Sequence, residues 1–265
     1  MSRPGDQVPG EIGAVRTLRV LTYLSKRSRP VSAGTIARDC DIPRSSLYRI
    51  LRVMERMYFV VHLPEDELWG IGIGAFEIGS GYLRSGVLER SGRPLLVRLT
   101  RRTGMVSHLG VLHGSDVLYL LKQTTDEPAR PFVTAVGVRL PAHLTAMGRA
   151  MLAQLPAHQV RAILWRPGEL VTRTGRGPRH LSELREILRA DRSRGYSVES
   201  SSTTEEVSCV AAAVFDHEGL PIAAVGVSYY DLPSAAEVER IASAVRETAD
   251  GLTTRLSGTP VRRRA

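Results

Sequence analysis

The sequence predicts an α+β protein in which a small helical unit with a β-hairpin precedes a larger unit of helices on an antiparallel sheet. Three observations carry that expectation. In DCDIPRSSLYRILRVME, residues 39 to 55, the apolar positions Leu47, Ile50, Leu51 and Met54, continued by Tyr58, recur at three- and four-residue intervals, the period of a helix lying on a core. After Met57 the period shortens to that of strands in YFVVHL and LWGIG, with PEDE between them as a turn. From residue 87 onward the order is helix, strands, helices, strands, helix.

Taken in order, the first helix is expected over GAVRTLRVLTYLSKR, with Val15, Leu18, Leu21, Thr22 and Leu24 as its apolar stripe and Ser28 to Pro30 ending it. Ser32 stands where an N-cap belongs, ahead of the short helix AGTIARDC, whose Ile36 and Cys40 are spaced to face the core. Asp41, Ile42 and Pro43 make a tight connection, and Pro43 suits the position ahead of a first turn, where a missing N–H does no harm. On the helix that follows, Ser45, Arg49, Arg52 and Arg56 gather opposite the apolar stripe, with Tyr48 and Ser46 at its margins. Two short helices, a tight turn and a second helix with a polar leading edge make a helix-turn-helix, and a hairpin directly after it is a wing.

Residues 72 to 88, GIGAFEIGSGYLRSGVL, read as a linker that becomes helical, with Phe76, Ile78 and Leu83 apolar. Its glycines at 74, 79, 81 and 86 each cost a helix about 1 kcal/mol against alanine, so the helix needs a neighbour or a partner chain. Beyond it come the helix VLERSGRPLLVRLTRRTG and the strands MVSHLGVLHG and SDVLYLLKQ, joined at His113 to Ser115. The helix HLSELREILRADRSRG, the strand YSVES, and two buried apolar strands joined by Asp216 to Gly219 follow. The amphipathic helix SAAEVERIASAVRETADGL closes the unit.

Charge is distributed unevenly. Residues 1 to 62 hold 11 Lys/Arg against 5 Asp/Glu, the tail VRRRA adds three arginines, and the remainder balances within the total of +9. A net positive segment that is also a helix-turn-helix is the footprint of a nucleic-acid binder, whose affinity comes largely from displaced phosphate counterions. Apolar residues at 43% and charged ones at 24% give an ordinary globular composition. No apolar run approaches the roughly 18 residues of a membrane span, and the N-terminus lacks the apolar stretch of a signal peptide, so a cytoplasmic protein without a membrane partner is expected. Cys40 and Cys209 are far apart, without CxxC or Cys/His neighbours, and read as buried thiols rather than a metal site or disulfide framework.

Two other functions are suggested by particular residues. Ser107, His108, His113, Asp116 and His143 invite a catalytic triad, and Asp216 with His217 a metal, yet Ser107 and His108 are adjacent on a strand and diverge, and no GxSxG or HExxH occurs. No catalytic residue, cofactor or metal is therefore expected. A non-specific architectural DNA binder would use the basic arms at 1 to 29 and 262 to 264, but leaves roughly 170 residues of the larger unit without a role.

The chain resembles the IclR family of bacterial transcription regulators over residues 11 to 255. Three stretches carry the resemblance: IPRSSLYRILRVMERMYFV with LWGIGIGAFEIGSGYL, then RLPAHLTAMGRAMLAQLP, then TTEEVSCVAAAVFDHEGLPIAAVGVS. It implies a winged helix-turn-helix domain over 1–72, a linker helix over 73–88, a GAF-like effector-binding domain over 89–257 and a basic tail over 258–265. It also implies a homodimer or homotetramer on double-stranded operator DNA that answers to a small-molecule effector, an organic acid or aromatic catabolite; family members act as repressors or activators, and a repressor is the expectation for this chain.

For DNA, the expected contact set is Arg44, Ser45, Ser46, Tyr48 and Arg49 at the leading end of the major-groove helix. Arg44 would pair with guanine, and Arg49, matching the family's tyrosine-arginine pair, would meet phosphate. Ser32 joins them as a phosphate contact at the second helix's N-terminus. For the effector, the resemblance implies a pocket against the sheet near Thr145, Ala146 and Met147, where free N–H groups would hold a carboxylate. Cys209 matches the family cysteine, Val207 shares its side of the strand, and Glu199 falls near an acidic pocket position. Met147 replaces the small residue common there, which implies a shorter or more apolar cavity.

Overall fold

The computed structural model of the chain describes residues 11–27, 29–78, 86–124, 133–164, 168–230, 234–256 and 258. The arm before residue 11, Ser28, the linker positions Gly79, Gly81 and Leu83, and the arginines of the tail lie outside the described residues. The chain divides into two compact units, residues 1–85 and 86–265.

In the first unit α1 (Glu11–Ser25), α2 (Ala33–Cys40) and α3 (Arg44–Arg56) precede a hairpin of β2 (Val60–Leu63) and β3 (Leu68–Ile71). Residues 73–78 are helical and are labelled α4. Ser32 caps α2, its hydroxyl accepting from the Thr35 N–H at 3.2 Å. Asp41 ends that helix in the left-handed region (φ 53°), its N–H turned back to the Ala37 and Arg38 carbonyls, which makes the tight turn into α3. The hairpin pairs Val60 with Ile71 through Leu63 with Leu68. A two-residue strand, β1 (Val31–Ser32), adds to its far side by pairing Val31 with Trp69, so the order is β1-β3-β2. Val20, Leu24, Ile36, Cys40, Leu47, Leu51, Met54 and Trp69 form the core.

Two expectations fail here. Val15 and Leu18 are 46% and 63% exposed, and α1 is buried only from Val20 onward, through Val20 and Leu24. The reason is length: α1 runs about 22 Å and α2 about 12 Å, so the first turns of α1 outreach their neighbour. Tyr58 does not continue the stripe of α3. The helix stops at Arg56, the Phe59 N–H closes onto the Met54 carbonyl at 2.8 Å, and Tyr58 takes φ 61° and is 70% exposed, which lets the chain reverse into β2.

The second unit is built on a six-stranded antiparallel sheet in the order β6-β5-β4-β9-β8-β7. Its strands are β4 (Val106–His113), β5 (Asp116–Gln123), β6 (Arg139–Pro141), β7 (Ser197–Ser200), β8 (Val207–Phe215) and β9 (Pro221–Tyr230). Two long helices, α5 (Val87–Thr103) and α9 (Ala235–Arg255), cover one face through Leu95, Leu99, Val245 and Leu252. Three shorter ones, α6 (Ala146–Leu152), α7 (Ala157–Leu164) and α8 (Leu181–Arg194), cover the other through Met151, Leu152, Leu164 and Leu184. Burial on both faces explains why VSCVAAAVF and PIAAVGVSYY are continuous apolar runs instead of alternating ones. The expected α+β layering with an antiparallel sheet is observed, and β6 and α7 are additions to it. No helix among the described residues is long and apolar enough to cross a membrane.

Candidate functional site

The exposed face of α3 follows from its buried one. Leu47 and Leu51 are fully buried and Met54 nearly so, which fixes the helix by its apolar stripe and turns Arg44, Ser45, Tyr48, Arg49, Arg52 and Arg56 outward, with Ser46 half-buried. Pro43 precedes the first turn without a side-chain cap, and its carbonyl accepts the Leu47 N–H at 2.9 Å. Arg44 stands apart from the others. A β-carbon on Gly34 would lie 3.1 Å from its Nη2 and 3.8 Å from Ser32 Oγ, so the guanidinium lies along the first turn of α2 beside the Ser32 cap. The predicted contact set thus forms two groups, Ser45, Ser46, Tyr48 and Arg49 on α3 and Arg44 with Ser32 at the start of α2. In the wing, His62 stacks on Trp69 with ring centroids 4.3 Å apart.

In the second unit, strand register brings together residues far apart in sequence. Glu199, Cys209 and Ser228 lie side by side across β7, β8 and β9, and Ala211, Gly226 and His108 form the next row across β8, β9 and β4. The start of α6 covers these rows, so that Thr145, Ala146 and Met147 meet His108, Tyr119, Glu199, Cys209 and Ser228 around one small cavity. Its volume is about 10 Å³, room for about one water. Met147 fills the rest. A β-carbon on Gly110 would lie 3.3 Å from Met147 Cε, and one on Gly226 would lie 3.2 Å from Met147 Cγ, so the side chain rests on two bare strand positions.

The cavity is polar beneath that methionine. Burial pushes the His108 imidazole down to about 3, with Lys122 adding to the effect, so the ring is neutral at ordinary pH. Its Nε2 faces the Thr134 hydroxyl at 3.4 Å, its ring packs perpendicular to that of Tyr119 with centroids 5.4 Å apart, and its Nδ1 has no partner among the described residues. Glu199 accepts from the Ser202 N–H at 3.0 Å and the Thr203 hydroxyl at 3.3 Å, yet burial still raises its carboxyl above the usual range. Burial likewise keeps Cys209 a thiol, 3.2 Å from Ser228 Oγ.

Thr145 caps α6, its hydroxyl accepting from the Gly148 N–H at 3.0 Å. Gly148 is obligatory for this approach, since a β-carbon there would lie 2.2 Å from the Ala142 carbonyl oxygen. Arg149 is buried behind the cap and donates to the His143 carbonyl at 2.8 Å.

Of the residues expected from sequence, Thr145, Ala146, Met147, Glu199 and Cys209 meet at this cavity, whereas Val207, buried opposite Tyr230, does not line it. His108, Tyr119 and Ser228 complete the cavity and were not anticipated there. The triad rival loses its geometry: Ser107 points to the opposite face, bonded to Thr100 Oγ1 at 2.7 Å and the Leu96 carbonyl at 3.1 Å.

Comparison with known proteins decides the family. The model of the IclR helix-turn-helix domain matches residues 13–64, and the model of the bacterial transcriptional regulator IclR C-terminal domain matches residues 80–254. The chain belongs to the IclR family. It is 31% identical to the HTH-type transcriptional repressor AllR of Klebsiella pneumoniae over 97% of this chain and 96% of that one. The crystal structure of an IclR-type regulator from Alicyclobacillus acidocaldarius shares the fold at a TM-score of 0.83, with 24% identity and coverage of 94% and 99%. That of an IclR homologue complexed with 4-hydroxybenzoate, from Microbacterium hydrocarbonoxydans, has a TM-score of 0.76 with 25% identity and coverage of 92% and 98%. Helix α3 falls within the stretch matched by the helix-turn-helix model, and the cavity beneath α6 within the stretch matched by the C-terminal model.

Proposed function

We propose that the chain is an operator-binding repressor, acting in the cytoplasm as a homodimer or homotetramer, whose affinity for double-stranded DNA falls when an organic acid or aromatic acid enters the cavity beneath α6. One observation carries the DNA half: α3 buries Leu47, Leu51 and Met54 and leaves Ser45, Tyr48 and Arg49 free on the opposite face. Those side chains, with Ser46, enter the major groove, and Arg49 meets a phosphate. Arg44, held beside Ser32 at the start of α2, shares a phosphate with that helix terminus in place of a guanine contact. The repressor sign is supported by the AllR relative.

The effector half is supported by the convergence of neutral donors and acceptors, His108, Tyr119, Cys209 and Ser228, next to Glu199. The 4-hydroxybenzoate held by a relative supports an acid of that size. Entry requires Met147 to leave its seat on Gly110 and Gly226, which changes how α6 packs and so which separation of two DNA-reading helices is favoured.

The test is a titration of the complex with DNA from upstream of the chain's own gene against 4-hydroxybenzoate and a panel of short organic acids. At least one is expected to weaken binding about tenfold, a coupling of about 1.4 kcal/mol. Uniformly unchanged affinity would remove the effector half of the proposal.

A further inference from the structure

A second, larger cavity lies on the same face of the sheet, between α7 and α8 at the C-terminal end of α6, and shares no lining residue with the first. It measures about 320 Å³, within the range of sites that take small molecules. Leu152, Leu184 and Leu188 form an apolar floor. Arg161 on α7 and Arg185, Arg189 and Arg192 on α8 stand along it, the last three at spacings of four and three residues that place them in one stripe beside the leucines.

The charge on this rim is unbalanced. No Asp or Glu lines the cavity. Arg189 is paired with Glu186, one turn away, while among the described residues no carboxylate pairs with Arg161, Arg185 or Arg192. Glu183, the other acid on this part of α8, is turned to the helix start, where it accepts from the Arg179 and His180 N–H groups. An apolar trough with guanidinium groups on its edge matches one chemistry: an apolar body for the leucines and a single anionic head for the planar forks of arginine.

We propose that this groove binds a free medium-chain carboxylate, its chain against Leu152, Leu184 and Leu188 and its head on Arg185 and Arg192. The site is separate from the cavity beneath α6, so it stands whether or not that cavity takes an acid.

Octanoate is the probe, with octanol and acetate as the chain and the head alone, titrated calorimetrically into the full-length protein and into Arg185→Gln/Arg192→Gln. Both arginines are exposed, so the double variant is expected to keep the parent's circular dichroism and melting temperature. The proposal expects saturable binding of one octanoate per chain, with octanol and acetate each weaker by about tenfold or more and octanoate weakened by a similar factor in the double variant. Equal binding of octanoate and octanol overturns it, as does parent-like octanoate binding in the double variant, which assigns the ligand elsewhere. Sedimentation on the same samples covers the other occupant: a variant with altered self-association, and a parent that does not bind octanoate, would mean that a second copy of the chain fills the groove.

Discussion

Truncation of Met147 to alanine tests the filled cavity most sharply. Met147 is 4% exposed and its Cγ and Cε rest over Gly226 and Gly110, so Met147→Ala removes three buried groups from a site floored by two glycines that have no side chain to fill the space. At about 0.8 kcal/mol for each methylene-sized group the transfer loss is roughly 2 kcal/mol. Space that stays open adds about 24 cal/mol per Å³, which brings the expected cost to about 3 or 4 kcal/mol, within the range for buried methionine. Denaturant unfolding of the parent and the variant measures it. A cost under about 1 kcal/mol would refute the seating of Met147 on the two glycines.

Further outcomes follow from the same geometry. Arg49→Ala should weaken binding to every DNA sequence alike and reduce the slope of log affinity against log salt by about one, as read by fluorescence anisotropy; an unchanged slope would place Arg49 away from phosphate. Ser32→Ala should cost about 1 kcal/mol in unfolding experiments through loss of the cap bond to the Thr35 N–H, and a cost near zero would remove that bond from the account. His108 is held neutral with its pKa near 3, against 6.5 in the unfolded chain, so it contributes stability that is present above pH 6.5 and lost as pH falls toward 3. Two pH units below 6.5 the loss is roughly 3 kcal/mol. His108→Gln should flatten this part of the stability curve, and a variant that keeps the parent's acid dependence would contradict the assignment.

The helix-turn-helix was legible because its information is local. A period of three and four, a serine cap and an Asp-Ile-Pro turn each act over a few residues, and α2, α3 and the hairpin lie where they point. Tyr58 misled because periodicity does not register the helix stop at Arg56, and Val15 and Leu18 misled because a stripe does not reveal how far its neighbour extends. The helix α7 was missed because eight residues bounded by Pro156 carry too short a pattern to separate from a loop.

The cavity was legible only in part. Thr145, Met147, Glu199 and Cys209 came from likeness to a family. His108, Tyr119 and Ser228 join them through the pairing of β4, β5, β8 and β9, which includes a register shift between Leu109 and Gly110 that no single strand's sequence announces. Gly110 and Gly226 carry no side chain to mark them in a strand pattern, and only the packed structure reveals them as the seat of a methionine.

The central claim is sequence-specific DNA binding by the exposed face of α3. Its most direct test is the salt-dependent affinity of the purified full-length protein for DNA from upstream of its own gene, against random DNA of equal length. The expected preference is at least about 10³ for the upstream fragment at physiological salt, abolished by combined changes at Ser45 and Tyr48. Equal affinity for both fragments at every salt concentration would contradict it, and would leave the positive N-terminal unit as a binder of phosphate without regard to sequence.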